Sequence, residues 1–235
     1  MKKQVQETFD ELAAIYERMG DANNLYNTQY ERPAMMKLIA SDLSGLQVLD
    51  AGCSAGWYSQ QFADRGAKVT SVDMSPEMVN ITKKLVGDQA EVLCLDLEEP
   101  LPFADSSYDI IVSSLTLHYL KNWGETFAEF SRILKPGGSF IFSIHHPLTD
   151  LQLLNKVKYF STQLIVDEWN KEGKTYQVPF YRRPLSQIFN TVLFYFIIEE
   201  MVEPKPTKVF KELASDQYDK LIRSPNFLIL KVSRK

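Results

Sequence analysis

The chain is poor in the residues that carry the simplest chemistries. It has two cysteines, Cys53 and Cys94, at no metal-like spacing. Neither a disulfide framework nor a zinc site is expected, no metal ligands are assigned, and a reducing compartment fits. It has three histidines. It has no excess of positive charge: 26 Lys+Arg stand against 30 Asp+Glu, for a net charge of -4. A non-specific nucleic-acid binder carries the opposite balance, so no nucleic-acid partner is expected. It also lacks a long apolar run. The greasiest stretch, Ile188 to Ile198, is interrupted by Asn190 and Thr191, and a membrane span needs ~20 apolar residues. The opening MKKQVQETFDELAA is polar and amphipathic, with no signal-peptide core. Repeats and low-complexity segments are missing too. The expectation is a soluble, cytoplasmic chain without a membrane partner. Its 45% hydrophobic content allows one sizeable core with a small appended unit.

What is present is an alternation. Val5, Phe9, Leu12, Ile15 and Tyr16 fall at helical spacing over 4–19, with Gly20 as a stop. DANNLYNTQ reads as a loop, and ERPAMMKLIA as a helix with Pro33 near its start. Five short apolar runs follow: LQVLDA, AKVTSVDM ending on Asp73, AEVLCLDL ending near Asp96, YDIIVSSL and GSFIFSIHH. Helical segments separate them. One opens on Ser75-Pro76-Glu77, a cap, a proline at the first helical position and an acid in the first turn. It runs to about Val86, and another helix covers 123–134. Lys135-Pro136-Gly137-Gly138 suits a type II turn. Such alternation predicts βαβ units and a mostly parallel sheet, with ligands at the strand C-termini. After Pro147 it breaks. NKEG, Asn170 to Gly173, separates two segments rich in Val, Thr, Tyr and Trp, which reads as an inserted β-hairpin. A helix over PLSQIFNTVLFYF, a strand over FIIEEMVEP, a helix over KVFKELASDQYDKLI and a last strand FLILKVSR complete the chain. The last two strands suit an antiparallel addition at the sheet edge.

The stretch VLDAGCSAGWYS places Gly52 and Gly56 directly after a buried strand. Bare backbone approaches a ligand only where Cβ atoms are missing, and the helix that follows points free N–H groups at it. Asp73 sits 21 positions after Gly52, at the adjacent strand tip, where a carboxylate accepts from a ribose diol. Asp96, one tip further, is placed to accept from an adenine amino group. The ligand is nucleoside-like. The glycine order G-x-x-x-G differs from the dinucleotide fingerprint G-x-G-x-x-G. An NAD(P)-dependent oxidoreductase is further disfavoured because no Tyr-x-x-x-Lys pair follows strand four.

The pattern D-x-G-C-x-x-G resembles motif I of the class I S-adenosylmethionine (SAM) dependent methyltransferases. VDMS, LDLEEPLPFADSSYDIIVSSLTLHYL and LKPGG continue the resemblance over about 40–146. FYRRPLSQIFN and EPKP look like the C-terminal half of a bacterial small-molecule, methyltransferase type 11-like branch. The resemblance implies an α/β, Rossmann-like, doubly wound seven-stranded sheet. It would be mostly parallel, with an antiparallel C-terminal edge strand and an inserted β-hairpin lid. It divides the chain into an N-terminal helical cap (1–40), a SAM-binding core (41–146), the hairpin lid (147–184) and the C-terminal part of the sheet (185–235). It also implies SAM as cofactor, with S-adenosyl-L-homocysteine as product. Asp50 and Gly52 would line the methionine and ribose side. Asp73 would take the ribose hydroxyls, and Met74 would pack on adenine. Asp96 and Leu97 would meet the adenine edge, with the Ser113 backbone under the methionine. Arg32 would pair with the cofactor carboxylate. Ser54 stands where many members have a middle glycine, and is expected there with a negative φ.

The implied reaction is in-line methyl transfer to a small-molecule acceptor, at oxygen, nitrogen or carbon. The other reading is a SAM-binding sensor without turnover. All three histidines, His118, His145 and His146, sit at the ligand edge and are the candidate bases. His118 is the best placed by sequence; Tyr119 and Tyr16 are secondary. His145 and His146, adjacent on a strand, point to opposite faces. Trp57, Tyr58, Trp169, Tyr176, Phe180 and Tyr181 serve either an aromatic pocket or core packing. Arg182-Arg183 is either a grip on an anionic substrate or, by default, a solvated pair. A Pro-Pro-Tyr-type motif after strand four is missing, as are a Pro-Cys nucleophile, a double-glutamate loop and an Asp-rich metal cluster. These absences turn the reading away from DNA, protein-arginine and catechol acceptors. Monomer and homodimer both stay open.

Overall fold

The computed structural model describes residues 1–19, 24–154 and 158–235. Seven strands form one sheet: β1 (Gln47–Ala51), β2 (Lys68–Asp73), β3 (Ala90–Cys94), β4 (Tyr108–Ser114), β5 (Leu134–His145), β8 (Phe196–Val202) and β9 (Phe227–Arg234). Their order is β3-β2-β1-β4-β5-β9-β8. The first five run parallel. β9 enters antiparallel between β5 and β8. The antiparallel addition therefore stands at the expected end of the sheet, with β9 one place in from its edge. The remaining two strands, β6 (Gln163–Lys171) and β7 (Lys174–Arg182), form a separate antiparallel hairpin.

Helices cover both faces, which is why the strands read as continuous apolar runs. In β5, Phe140, Phe142 and Ile144 pack on one face with α5 (Trp123–Ile133) and α6 (Leu185–Tyr195). Ile141 faces the opposite layer, with Val48, Val112, Phe62 and Met35. That layer holds α2 (Arg32–Lys37) and α3 (Trp57–Asp64). The period of two decides which side each residue serves. Each fully buried aromatic adds roughly 1.5–3 kcal/mol, so the Phe127–Phe140–Phe142–Phe196 cluster fixes how β5 and the two helices seat.

Local chemistry sets several boundaries. α4 (Pro76–Val86) begins at Ser75, whose Oγ accepts from the Met78 N–H at 3.1 Å. Glu172 and Gly173 join β6 to β7 with φ of +49° and +77°, the positive pair that a two-residue hairpin turn needs. Gly137, after Pro136, has φ +74°, as a type II turn demands. That turn is absorbed into β5 as an irregularity, since the β4 pairing jumps from Tyr108↔Leu134 to Ile110↔Ser139.

Other elements differ from expectation. Much of the expected loop before α2 is helical: a π-turn over Asn27–Glu31 runs directly into α2. The single helix expected over 208–222 is two, α7 (Lys208–Leu213) and α8 (Ser215–Arg223), broken where Ala214 adopts φ -150°, ψ 64°. β3 ends at Cys94, two residues before Asp96. α1 (Lys2–Met19) matches the amphipathic segment, and the proposed stop at Gly20 lies outside the described residues.

α1 lies over the hairpin. Thr8 Oγ1 donates to the Gln177 carbonyl at 3.1 Å. Leu12, Ala13 and Ile15 pack with Tyr176 and Val178 of β7 and with Met78 of α4. α1 and the hairpin together roof the strand C-termini.

Candidate active site

Beneath that roof is a cavity of about 610 Å³. It crosses the tips of β3, β2, β1, β4 and β5 in sheet order. Strands lie roughly 4.8 Å apart, so five tips provide about 20 Å of floor. Asp96, Leu97 and Leu95 line it beyond β3, Asp73 and Met74 at β2, and Gly52, Cys53 and Ser54 at β1. Ser114, Leu115 and Thr116 line it at β4, and His145 at β5.

The β1 tip is tightly built. Gly52 has φ +86°, and a Cβ there would stand 2.3 Å from the Thr116 side chain, so the wall at this point is bare main chain. Ser54 has φ +49°, which corrects the expected negative value. Two neighbours hold it there: its N–H donates to Asp73 Oδ2 at 2.9 Å, and its carbonyl accepts from Thr82 Oγ1 at 2.6 Å. Asp73 Oδ1 accepts from the Ser75 N–H at 2.9 Å. Each oxygen keeps a lone pair for a ligand. Burial raises this carboxyl above the ordinary range.

Several expected site residues stand behind the wall. Asp50 is fully buried, and its Oδ2 accepts from Ser59 Oγ at 2.6 Å. Burial pushes its pKa up to about 7. Gly56, at φ +84°, caps α3 and packs on Thr82. Ser113 Oγ donates to the Ala51 carbonyl at 2.8 Å; its neighbour Ser114 reaches the cavity. Asp96 does line the cavity, with Oδ2 already 2.5 Å from Lys2 Nζ and Oδ1 accepting from the Glu98 N–H. Arg32 lines it too, with its guanidinium 4.1 Å above the Trp57 ring.

The family model described as "Methyltransferase domain" matches residues 49–142. A protein of Listeria monocytogenes assigned to the SAM-dependent methyltransferases superposes with a TM-score of 0.75. It is 25% identical, and the match covers 87% of this chain and 96% of that one. The chain is similar in sequence over 49–142, and in fold over most of its length, to the SAM-dependent methyltransferases. Among curated methyltransferase relatives, the malonyl-[acyl-carrier protein] O-methyltransferase of Buchnera aphidicola is 30% identical over 146 residues, which cover 60% of this chain and 54% of the relative. The biotin biosynthesis bifunctional protein BioHC of Cellvibrio japonicus is 31% identical over 152 residues, covering 65% and 29%. The chain thus spans about half or less of those two relatives' length.

SAM is the cofactor of these methyltransferases, and the residues present suit it. A bare glycine wall and two strand-tip carboxylates form a donor and acceptor set for a nucleoside, and the floor continues past the cofactor end. The three histidines part company at β5. His145 lines the cavity. His118 is 3% exposed and lies outside the lining, stacked on His145 with ring centroids 4.0 Å apart. Neither of its ring nitrogens has a hydrogen-bond partner among the described residues. His146 faces the other way, with Nε2 2.9 Å from Glu203. The assignment of His118 and His146 as bases is corrected on this geometry, because neither reaches the cavity. Burial lowers His118 well below the usual histidine value and takes His145 to about 4. Tyr16 and Tyr119 both line the cavity.

The aromatic and arginine candidates also sort themselves. Trp57, Tyr58 and Trp169 line the cavity; Tyr176 packs in the α1 core, and Phe180 is fully buried against His145 and His118. Arg182 and Arg183 are 1% and 3% exposed, which overturns the expected solvated pair. Arg182 donates to the carbonyls of Pro147 and Tyr159, and Arg183 to those of Leu120 and Lys121. Sequence reasoning missed Asp150 and Asp167, both in the lining. The signal for Asp167 was its i, i+2 spacing with Ile165 and Trp169, which puts the three on one face of β6. It also missed Glu31, which is 1% exposed and accepts from Tyr58, Ser114 and Ser143 hydroxyls. Among the described residues no helix is long and apolar enough to cross a membrane.

Proposed function

We propose that this chain catalyses transfer of a methyl group from SAM to a small-molecule acceptor. One observation supports this most: a single cavity continues from the nucleoside end at Asp73 and Asp96, past Gly52, to His145. When bound, SAM supplies a methyl carbon already activated by a positive sulfur. The task left to the protein is alignment and the exclusion of water. Asp73 accepts from a ribose diol, Met74 and Leu97 flank a base, and the Gly52 main chain leaves room beside the sulfur end. α1 and the hairpin close over the reacting groups. Positioning of this kind supplies roughly 7–11 kcal/mol of barrier reduction. His145 lines the cavity as a neutral imidazole and is the histidine placed to take a proton from the acceptor, though a base at about 4 gives less than the ~10²–10⁴-fold of one matched to neutral pH. His118, stacked behind, fixes the ring of His145 and is a positioning residue. The relatives' names specify a malonyl group on an acyl-carrier protein, which offers a carboxylate oxygen as one acceptor class.

The first test is thermal. S-adenosylhomocysteine at ~100 times its dissociation constant stabilises the fold by about 2.7 kcal/mol, and NAD leaves the midpoint unchanged. A shift with NAD alone sinks the reading.

A further inference from the structure

Beyond the cofactor end, the cavity carries negative charge. Asp150 stands on the short turn Thr149–Leu153 after β5, and Asp167 lies mid-strand on β6. Both line the cavity beside His145. Asp150 is 6% exposed. Its carboxylate accepts no hydrogen bond among the described residues, and its Oδ1 lies 3.6 Å from His145 Nδ1, outside hydrogen-bond distance. Burial raises Asp150 to about 7 and leaves His145 uncharged at neutral pH. Arg182 favours the Asp150 charge, but its Nε and Nη1 go to main-chain carbonyls, its buried Nη2 makes no hydrogen bond to any described residue, Asp150 included, and it does not line the cavity. Of the cations that do, Arg32 sits over Trp57 and Lys171 stands at the hairpin tip.

Aromatic rings complete this end. Phe9 meets Tyr119 at 5.2 Å and Trp169 at 6.4 Å, both edge to face, and all three line the cavity. The Trp169 indole N–H donates to Asp167 Oδ2 at 2.9 Å, which fixes that carboxylate beside the rings. A buried carboxylate without donors is costly. A ligand bringing N–H donors and positive charge relieves that cost, and aromatic faces add attraction for a cation. A ligand bringing a second carboxylate meets like charge.

Taking the methyltransferase reading as its base, we propose that the acceptor is an organic amine. It binds as its ammonium, with the nitrogen between Asp150 and Asp167 and the carbon skeleton against Phe9, Tyr119 and Trp169. The Asp150 carboxylate would take one N–H proton, the freed lone pair would form the N–C bond as the S–C bond of the cofactor breaks, and the products would be the N-methylammonium, S-adenosylhomocysteine and the protonated Asp150 carboxyl. This chemistry differs from the carboxylate acceptor in the relatives' names.

The test uses the whole chain saturated with S-adenosylhomocysteine at pH 8. Tyramine, phenethylamine and N-methylphenethylamine are compared with 3-phenylpropionate and a malonyl thioester of N-acetylcysteamine, by calorimetry and thermal shift. At least one amine binds and raises the midpoint further, and neither carboxylate does. Asp150→Asn weakens that amine about tenfold or more while the S-adenosylhomocysteine shift persists; Asp167→Asn does the same and serves if the first variant folds poorly. Binding by a carboxylate alone, no binding by any amine, or amine binding unchanged in both variants overturns the proposal. A lost S-adenosylhomocysteine shift in the unaltered chain instead overturns the cofactor reading on which it rests.

Discussion

Gly52 concentrates the constraints of the site in one residue. Its φ of +86° and the 2.3 Å approach of any Cβ to Thr116 make even alanine expensive. Gly52→Ala is expected to cost about 1–2 kcal/mol in backbone conformation and about 1–3 kcal/mol in overpacking, read by urea denaturation. Thr116→Ala beside it recovers part of the loss, since two of the three crowding atoms go. Asp73→Ala acts differently: stability changes little beyond the lost N–H partners, but S-adenosylhomocysteine affinity falls about tenfold or more. Asp50 predicts a pH effect. Its folded pKa of about 7 exceeds the unfolded value near 3.9, so the folded state holds the extra proton between them. The stability Asp50 contributes is full below about pH 4 and is lost as pH rises toward 7, at up to roughly 1.4 kcal/mol per unit. Asp150 titrates in the same window. The difference in urea stability between wild type and Asp50→Asn from pH 5 to 8 isolates Asp50. A difference flat with pH refutes the assignment.

Elements are joined by buried polar residues that no local pattern announces. Glu31 fastens the helix before β1 to the sheet through Tyr58 on α3, Ser114 on β4 and Ser143 on β5. Glu31→Ala leaves three hydroxyls without their acceptor. We expect a loss of about 3 kcal/mol or more, seen as a melting midpoint lower by roughly 6–12 °C. A change under 2 °C would contradict the role assigned to this carboxylate. What the sequence made legible at this scale was chemistry between near neighbours: the Ser75-Pro76 helix start, the hairpin turn at Glu172-Gly173, the apolar strands, and a carboxylate at the β2 tip. What it did not make legible depends on distant partners. Ser54 is left-handed because Asp73 and Thr82 grip its two backbone groups. Arg182 and Arg183 are buried because carbonyls from residues 120, 121, 147 and 159 converge on them. Asp150 reaches the cavity because the chain turns sharply after β5. No window along the chain contains these encounters.

At the scale of the whole molecule, the sheet and the roof are held by different forces. The sheet is a two-faced apolar core. The roof has only a small apolar cluster of its own, Leu12, Ala13 and Ile15 with Tyr176, Val178 and Met78, and its rim is latched by exposed ion pairs, Arg18–Glu172, Lys174–Glu11 and Lys84–Glu17, which are worth ~0–1 kcal/mol each and weaken with salt. Hydrogen exchange should therefore be fast in α1 and the hairpin, slow in β1, β4 and β5, and S-adenosylhomocysteine should slow the first group alone. Equal protection across both groups would mean that the roof belongs to the core. The two ends of the hairpin are unequal in the same way. At its base, Arg183 is bound to the carbonyls of Leu120 and Lys121 and lies 4.6 Å over Trp123, whereas its tip has only surface charge to hold it. A flap riveted at one end and magnetised at the other opens as a beak, not as a door. Entry at the Glu172 end is the expected consequence, and the width of that gape, more than the size of the chamber, would then set the largest molecule that can be admitted.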